Sequence, residues 1–325
     1  MDLFSPRPPH AVIEHFQPHP DALSWVRASD GFSGAVVWRG DDPTGTPRVA
    51  LKRWQPEMTA ERLRQVHGWL GRAAHLPFIP TPLAGRFGLT AVLVEGHLWD
   101  AVPWMPGTPL ESPTAKDVRQ ACEAVAALHR AWGAEADPRP APAVRNRIRV
   151  LEEHRAADAI RARGRPGIAP ELDELLRACA AVVGEQTGPA LDALRVWEGE
   201  RFHLRPCVRD LRGEHVLFGD GRVTGVVDFG AVAVDHPAVD LARLLSDLTP
   251  HRPDLFEAGL SAYRAAGGEL DCPDDWVRLL ARTGVICSLA GWRVRLLKPG
   301  ARPVSSPAAV AGRLRDLLGR AGALF

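Results

Sequence analysis

Lysine and asparagine are scarce in this sequence of 325 residues. Lysine occurs only at Lys52, Lys116 and Lys298, and the other 37 of the 40 basic residues are arginine. A lysine that persists in such a chain is expected where a compact ammonium is needed and a planar guanidinium does not fit. Lys52 is the lysine whose surroundings support such a role. Asparagine occurs once, at Asn146.

Other absences limit the class of protein. Five cysteines without a Cys-x-x-Cys pair argue against a disulfide framework or a structural zinc site. No apolar run approaches the ~20 residues of a membrane helix, and the N-terminus has no signal-peptide pattern. A net charge of +1 gives no general reason to expect nucleic acid. We therefore expect a cytoplasmic protein without membrane or nucleic-acid partners; its oligomeric state is left open.

The length suits about two domains, each large enough to form a core. Residues 1–20 hold five prolines and show no periodicity, which predicts an irregular leader. Residues 21–105 predict a small β-rich lobe with one helix at 59–70, and residues 106–325 predict a mainly helical lobe. Within the helical lobe, the Pro/Ala/Arg-rich residues 133–147 predict a loop, and His129 is expected to be a satisfied core histidine in preference to a ligand. The strands of the first lobe are expected at 24–29, 35–39, 48–54, 89–95 and 98–105.

A glycine-containing turn and a lysine suggest phosphate binding in the first lobe. Glycines in such a turn let backbone N–H groups face phosphate oxygens. Taken alone, the turn is better explained as a plain hairpin turn, and the strand that follows shifts the balance toward phosphate binding. Lys52 follows on the third strand, where a kinase has its phosphate-binding lysine. Glu61, in the first turn of the next helix, is the acid available to pair with Lys52. The predicted nucleotide-binding residues of the turn are Gly31, Phe32, Ser33 and Gly34.

The end of the fifth strand predicts a hinge. Backbone groups near Trp104 and Met105 are expected to meet an adenine, although these apolar side chains are equally compatible with a plain core. Pro106-Gly107 ends the strand.

Residues 207–230 gather the most polar chemistry. Asp220-Gly221 between two β-branched runs predicts a tight hairpin. Asp210 and His215 precede this hairpin and Asp228 follows it. Because the two ends of a hairpin lie close together, we expect the three side chains to converge. This order is the layout of a kinase catalytic centre.

Together these motifs resemble the aminoglycoside phosphotransferase family of small-molecule kinases, which includes choline kinase. The resemblance runs from about Ser24 to Leu245. It implies an α+β, bilobal protein-kinase-like fold with a small antiparallel β-sheet N-lobe and a mainly helical C-lobe. It also implies ATP and Mg²⁺, with Mn²⁺ as the alternative ion, as cofactors.

The resemblance also implies a role for each matched residue. Asp210 matches the catalytic aspartate that accepts the proton of the acceptor hydroxyl, and Asp228 matches the aspartate that binds the metal. Asp240 matches an aspartate that supports the catalytic loop. Two positions depart from the family pattern: Val208 replaces a histidine, and His215 replaces a metal-binding asparagine. Imidazole suits Mn²⁺ better than Mg²⁺.

The acceptor is expected to be a small molecule, because residues 231–239 are too few for a peptide-binding activation segment. Residues 276–325 contain nine basic residues and one acid. If those helices face the substrate, a neutral or anionic acceptor is favoured; the alternative is that the basic residues form a solvated face. The competing function is a pseudokinase that binds nucleotide without catalysis, which the changes at Val208 and His215 favour.

Overall fold

The structure is a computed structural model that describes residues 7–16, 22–28, 34–161, 169–298 and 306–324. The chain divides into two compact units. The first consists of Met1–Thr108 and Leu217–Val227. The second consists of Pro109–Val216 and Asp228–Phe325.

The first unit contains a five-stranded antiparallel sheet with strand order β1-β2-β3-β5-β4. Alternating burial along β2 and β3 sends Trp38 and Leu51 to one face, where Trp99 of β5 joins them. This apolar face forms the core of the unit. The strands are β1 Ser24–Arg27, β2 Val36–Asp41, β3 Pro47–Arg53, β4 Ala91–Val94 and β5 His97–Pro103.

The leader contains a short helix, α1 (His10–Phe16), where the sequence predicts irregular structure. Val12, Ile13 and Phe16 are buried against the sheet core. The prediction of an irregular leader is wrong for these residues, because apolar residues spaced along one helical face bury against the sheet between the proline clusters.

The predicted helix at 59–70 is observed as α2, Ala60–Arg72. The hydroxyl of Thr59 caps it by accepting the N–H of Arg62 at 3.1 Å.

The predicted hairpin is also present, as β9 (Val216–Gly219) and β10 (Arg222–Val226). Asp220 and Gly221 in its turn have φ of 51° and 69°, the left-handed values that a two-residue hairpin turn requires.

The hairpin belongs mostly to the first unit, whereas the sequence assigns it to the second lobe. Thr108 and Phe218 exchange two backbone hydrogen bonds of 3.0 and 2.8 Å. The Val226 N–H donates to the carbonyl of Phe78 at 2.8 Å. The first unit ends at Thr108, whereas the sequence predicts the boundary between the lobes at 105/106. The backbone contacts that join the hairpin to the first unit link residues far apart along the chain, so no local sequence pattern predicts them.

The second unit is mainly helical. Its α4 begins at Pro142, inside the stretch 133–147 that the sequence predicts as a loop. Short strands also occur: β6 (Arg139–Pro140) pairs with β7 (Arg201–Phe202), and β8 (Arg205–Cys207) pairs with β11 (Ala233–Asp235). The helices are α3 Ala115–Trp132, α4 Pro142–Arg161, α5 Pro170–Arg195, α6 Ala238–Leu248, α7 Pro253–Ala265, α8 Asp274–Leu297 and α9 Pro307–Leu324. None of the described helices is both long and apolar enough to cross a membrane.

Candidate active site

A loop in the second unit, residues 208–215, carries Asp210 and His215 between β8 and β9. Asp240, in the first turn of α6, holds its beginning: one carboxylate oxygen accepts the N–H of Val208 at 2.7 Å and the other accepts the N–H of Arg209 at 2.6 Å. Arg209 has a φ of 67°, an unfavourable conformation for a residue other than glycine. The hydrogen bonds of Asp240 therefore stabilise a strained backbone next to Asp210.

A second carboxylate of α6 holds the other end of the loop. Asp247 lies two helical turns after Asp240, and its Oδ2 accepts the N–H of Gly213 at 2.5 Å. Glycine suits this close approach, because a Cβ at Gly213 would lie 2.8 Å from the Leu248 side chain and 3.2 Å from Asp247 Oδ2. One face of α6 thus fixes the loop on both sides of Asp210. Asp247 belongs to none of the sequence motifs that indicate the site, so it has no signal in the sequence.

Asp240 is itself held by a buried pair from two other helices. His129 Nε2 lies 3.0 Å from Asp240 Oδ2, and His129 Nδ1 lies 2.9 Å from the Tyr263 hydroxyl. Because a carboxylate only accepts, Nε2 carries the proton and Nδ1 accepts from the tyrosine. All three residues have 0% exposure. The result is a fully buried chain of hydrogen bonds from α7 through α3 to the loop.

His129, Asp240 and Cys207 together have the composition of a metal site, with ligand atoms within 4.8 Å of one another. The hydrogen bonds described above already use the imidazole and the carboxylate. The Cys207 thiol donates to two backbone carbonyls at 3.4 Å, and burial raises its pKa well above the usual value. A neutral thiol is a poor ligand. This cluster therefore supports the loop.

Asp210 is an exposed carboxylate of the loop, with 43% of its side chain accessible. Arg243, one turn after Asp240 on α6, donates to its Oδ1 at 3.0 Å. The Arg212 Nε lies 3.8 Å from the same oxygen. Both arginine contacts are made to Oδ1, which leaves Oδ2 available to a bound molecule.

His215 has one ring nitrogen directed into the loop and the other toward Asp228. Its Nδ1 donates to the backbone carbonyl of Asp210 at 2.8 Å, and Nε2 lies 3.9 Å from Asp228 Oδ2. Arg212 donates to Nε2 over 3.3 Å. Burial lowers the pKa of His215, and the positive charge of Arg212 lowers it further. The neutral ring with its proton on Nδ1 fits these contacts.

Asp228 follows β10 and has a φ of 62°. The next residue, Phe229, is buried and contacts Trp132 edge to face with ring centroids 6.3 Å apart. This packing fixes the backbone that bears Asp228, whose own side chain is 39% exposed. Residues held in sparsely populated backbone conformations cluster at ligand-binding and active sites.

The donor set of His215 and Asp228 fits a divalent metal ion. Two ligands of one ion, each about 2.1 Å from it, are at most about 4.2 Å apart, and the observed separation is 3.9 Å. A metal-binding histidine also usually donates its other N–H to a carbonyl or carboxylate, as His215 does. Arg212 must release Nε2 when an ion binds.

The nucleotide-binding residues predicted in the first unit have the following positions. Gly31, Phe32 and Ser33 lie outside the described residues, and Gly34 has a φ of 81°. The backbone N–H of Trp104 donates to the Arg48 carbonyl at 3.0 Å, so this backbone donor is already engaged. Met105 is 9% exposed.

Lys52 faces an acid that no sequence motif indicates. Asp100 of β5 lies directly opposite Lys52 of β3, so both side chains project from the same face of the sheet. Asp100 is 4% exposed and accepts a hydrogen bond of 2.9 Å from Nε2 of His67 on α2. Glu61, the predicted partner, is exposed in the first turn of that helix. The Lys52 ammonium lies 4.0 Å from the centre of the Trp54 ring.

Comparisons with known proteins indicate the family and the fold of this chain. The model of the phosphotransferase enzyme family matches residues 24–279, well over half of the chain. A comparison with curated protein sequences gives no match.

Three solved structures are similar in fold. An amicoumacin kinase in complex with AMP-PNP, Ca²⁺ and Ami has a TM-score of 0.62 at 14% identity, covering 97% of this chain and 92% of that one. A spectinomycin phosphotransferase in complex with ADP and spectinomycin has a TM-score of 0.61 at 11% identity, covering 93% and 92%. An aminoglycoside phosphotransferase from Alicyclobacillus acidocaldarius subsp. acidocaldarius has a TM-score of 0.59 at 16% identity, covering 98% and 94%. The chain therefore belongs to the phosphotransferase enzyme family and has its protein-kinase-like fold.

Proposed function

We propose that this protein transfers the γ-phosphoryl group of ATP to a hydroxyl of a small molecule. The observation that carries the proposal is the set formed by Asp210, His215 and Asp228. An accessible carboxylate lies on a loop clamped by buried groups, and the same loop brings a neutral imidazole to 3.9 Å from a second carboxylate. Phosphoryl transfer depends on such positioning and charge neutralisation more than on covalent help from the protein.

Asp210 is the proposed base. Its Oδ1 is held by Arg243, and its Oδ2 accepts the proton of the acceptor hydroxyl. The acceptor oxygen forms a bond to the γ-phosphorus as the bond from that phosphorus to the bridging oxygen of ADP breaks. The bonding electron pair leaves with ADP, and the proton on Asp210 passes to solvent.

Asp228 and His215 would hold a divalent ion, Mg²⁺ or Mn²⁺. When bound, the ion neutralises charge on the phosphate oxygens. The chain's own contribution is to keep the His215 ring neutral with Nε2 unprotonated, through the Nδ1 hydrogen bond to the Asp210 carbonyl and through burial.

The first unit would supply the nucleotide-binding groups. Lys52 contributes a charge for the α- and β-phosphates. Asp100, opposite Lys52 in the sheet and fixed by His67, would hold its ammonium in place, a role that the sequence assigns to Glu61. Gly31, Phe32, Ser33 and Gly34 stay the proposed phosphate loop. Trp104 and Met105 stay the proposed adenine contacts, with Met105 favoured as donor because the Trp104 N–H is engaged.

A nucleotide-binding protein without catalysis is the second candidate. Arg212 favours it, since its guanidinium donates to the His215 nitrogen that a metal needs and lies 3.8 Å from Asp210. A side chain in this position supplies some of the positive charge that an ion would bring. Nucleotide binding without any phosphate transfer distinguishes this candidate from the enzyme.

The test is a phosphate-transfer screen of hydroxylated small molecules with ATP, run in parallel with Mg²⁺ and with Mn²⁺. Wild type is compared with Asp210→Asn and with Asp220→Asn, which makes the same change at an exposed, left-handed hairpin position that asparagine tolerates. We expect Asp210→Asn to lose about 10²–10⁴-fold in turnover and the control to keep wild-type turnover. Equal turnover in all three proteins would contradict the assignment of Asp210.

A further inference from the structure

A cavity of about 250 Å³ opens beside Asp210 within the second unit. The loop, α4, α6 and α8 line it, with apolar groups such as Val150 and Leu280 on its walls and the hydroxyls of Ser246 and Ser288 among its polar groups. Drug-sized ligands occupy pockets of about 300–1,000 Å³. The cavity therefore suits a small metabolite-sized molecule.

The charge of this cavity is strongly one-sided. Arg147, Arg209 and Arg243 line it, and Asp210 is the only acidic residue among its lining residues. None of the basic residues of 276–325 that the structure describes is part of the lining. The arginines that face the cavity come from α4, the loop and α6. The basic residues counted in the C-terminal helices are therefore not the ones that determine the charge of this cavity.

In the described part of the chain, the Arg147 guanidinium donates to no carboxylate. Its terminal nitrogens donate to the carbonyls of Ala143 at 3.2 Å and Leu280 at 3.3 Å, and its buried Nε has no hydrogen-bond acceptor. Burial lowers the pKa of Arg147. A half-buried guanidinium held by neutral carbonyls is stabilised by an anion that enters the cavity, and its planar fork matches a carboxylate or phosphate.

Arg209 and Arg243 extend the positive surface from Arg147 to Asp210. The Arg209 Nε lies 3.6 Å from Asp235, a buried carboxylate, while a third of the Arg209 side chain is exposed. Arg243 donates both to Asp210 at 3.0 Å and to the Ser288 hydroxyl at 3.1 Å. A molecule with its anionic end at the arginines thus has its other end near the proposed base.

We infer that the acceptor is a small hydroxylated anion whose anionic oxygens bind Arg147 and Arg209 while a hydroxyl faces Asp210. The anionic group is a carboxylate or a phosphate monoester. A polycationic acceptor is repelled by the same three guanidiniums. This inference rests on the proposed phosphotransferase activity for the identity of the acceptor, and on the cavity alone for the binding of an anion.

The test uses two sets of related polyols that carry different charges: glycerate, glycerol 3-phosphate and glycerol, and gluconate, glucose and glucosamine. Phosphate transfer from ATP is followed by ³¹P NMR. We expect an anionic member of at least one set to have a kcat/KM about 100-fold above that of its neutral counterpart, from about two charge-assisted hydrogen bonds. The carboxylate and phosphate arms identify the anionic group.

Arg147→Gln is the diagnostic variant, and Arg145→Gln is its control on the same helix, at an exposed position outside the cavity. Arg147→Gln should raise KM for the anion at least 10-fold and leave the neutral counterpart unchanged, whereas Arg145→Gln should change neither. Arg147→Lys, which keeps the charge, should lie between wild type and Arg147→Gln. If Arg147→Gln does not fold, the comparison uses Arg147→Lys. Preferred phosphorylation of a neutral or cationic acceptor overturns the inference and leaves the phosphotransferase proposal standing.

Binding separates this inference from the proposed function. The same compounds are added to Asp210→Asn, and thermal unfolding is measured. A Tm rise of roughly 2–5 °C with the anion and none with its neutral counterpart supports the anion site even if no phosphate is ever transferred. The absence of any stabilisation by anions, together with the absence of transfer to them, overturns it.

Discussion

Asp210 and Asp240 belong to the same site and differ in almost every physical respect. Asp240 has no exposed side-chain surface and accepts hydrogen bonds from two backbone N–H groups and from His129. Asp210 is 43% exposed, and its contacts are with arginines at one oxygen. One carboxylate has its lone pairs committed to structure, and the other keeps an oxygen available for chemistry. A motif places both, but burial and hydrogen bonding distinguish their roles.

The largest expected effect comes from Asp240→Asn, which replaces a hydrogen-bond acceptor by a donor at the buried side chain. In Asp240→Asn an amide NH₂ replaces one acceptor, so it faces a backbone N–H or the His129 N–H and leaves that donor unsatisfied. We expect the free energy of unfolding to fall by about 3 kcal/mol and turnover to fall with it, because the unsatisfied donor weakens the hold of residue 240 on the strained backbone beside Asp210.

The matched measurement is urea unfolding of Asp210→Asn. Its change in unfolding free energy should stay within about 0.5 kcal/mol, although turnover falls far more than in Asp220→Asn. If the two variants Asp210→Asn and Asp240→Asn lose the same stability, the distinction between a chemical and a structural carboxylate is wrong.

The same contrast recurs beside Lys52 in the first unit. Asp100 is buried opposite Lys52 and bonded to His67, whereas Glu61 is exposed. We expect Asp100→Asn to raise KM for ATP about 10-fold, since a charged partner of the lysine is worth about 1.5 kcal/mol. The fold should persist because the amide oxygen still accepts from His67. Glu61→Gln is the control, with an expected change below about twofold. The opposite ranking would identify Glu61 as the partner of Lys52.

His215 combines a structural contact with an available ligand atom. One ring nitrogen donates to the backbone of the loop, and the other is directed at Asp228. We predict that Mn²⁺ supports turnover at least as well as Mg²⁺ in wild type. His215→Asn should shift the Mg²⁺/Mn²⁺ activity ratio toward Mg²⁺ by about 10-fold, because an amide oxygen is a harder ligand than imidazole. His251→Asn, at an exposed position, is the control. An asparagine variant with the wild-type ratio would contradict metal binding by His215.

These contrasts indicate what the sequence can supply. The family order of Lys52, Asp210, Asp228 and Asp240 is readable because each stands in a local motif, and the family match and fold agree with the resemblance. The hairpin is predicted because Asp220-Gly221 suits only a few turn types. Prediction succeeds where the physics is local.

The remaining parts of the site depend on contacts that are distant along the chain. Arg147 reaches the cavity beside Asp210 from a stretch that the sequence predicts as a loop, and Asp100 meets Lys52 only through strand pairing. The composition of residues 133–147 suggests a loop, yet Ala143 and Val144 bury in the second unit and α4 begins at Pro142. Tertiary burial overrides local propensity in this stretch. His129, predicted as a satisfied core histidine, does prove to be fully hydrogen-bonded.

The smallest expected effect is the contribution of a buried histidine of the second unit to the pH dependence of the free energy of unfolding. His236 is fully buried, and its Nδ1 accepts the N–H of Ala238 at 3.1 Å, which requires that nitrogen to be unprotonated. Its Nε2 donates to Asp271 at 2.7 Å. Burial lowers the pKa of His236, although Asp271 opposes the shift. The unfolded chain therefore takes up a proton at a higher pH than the folded one does.

The sign of the pH dependence follows from that difference. Stability from neutral His236 is complete above the unfolded pKa of about 6.5 and is lost as the pH falls toward the folded pKa, at up to about 1.4 kcal/mol per pH unit. His215 adds a loss of the same sign. His236→Asn, whose amide oxygen can still accept from Ala238, should reduce the slope of unfolding free energy between pH 7 and 5, and His251→Asn should leave it unchanged. An unaltered slope in His236→Asn would mean that His236 takes up its proton at the same pH in the folded and unfolded chain. Buried groups such as His236 and accessible groups such as Asp210 would then differ in their hydrogen bonding alone.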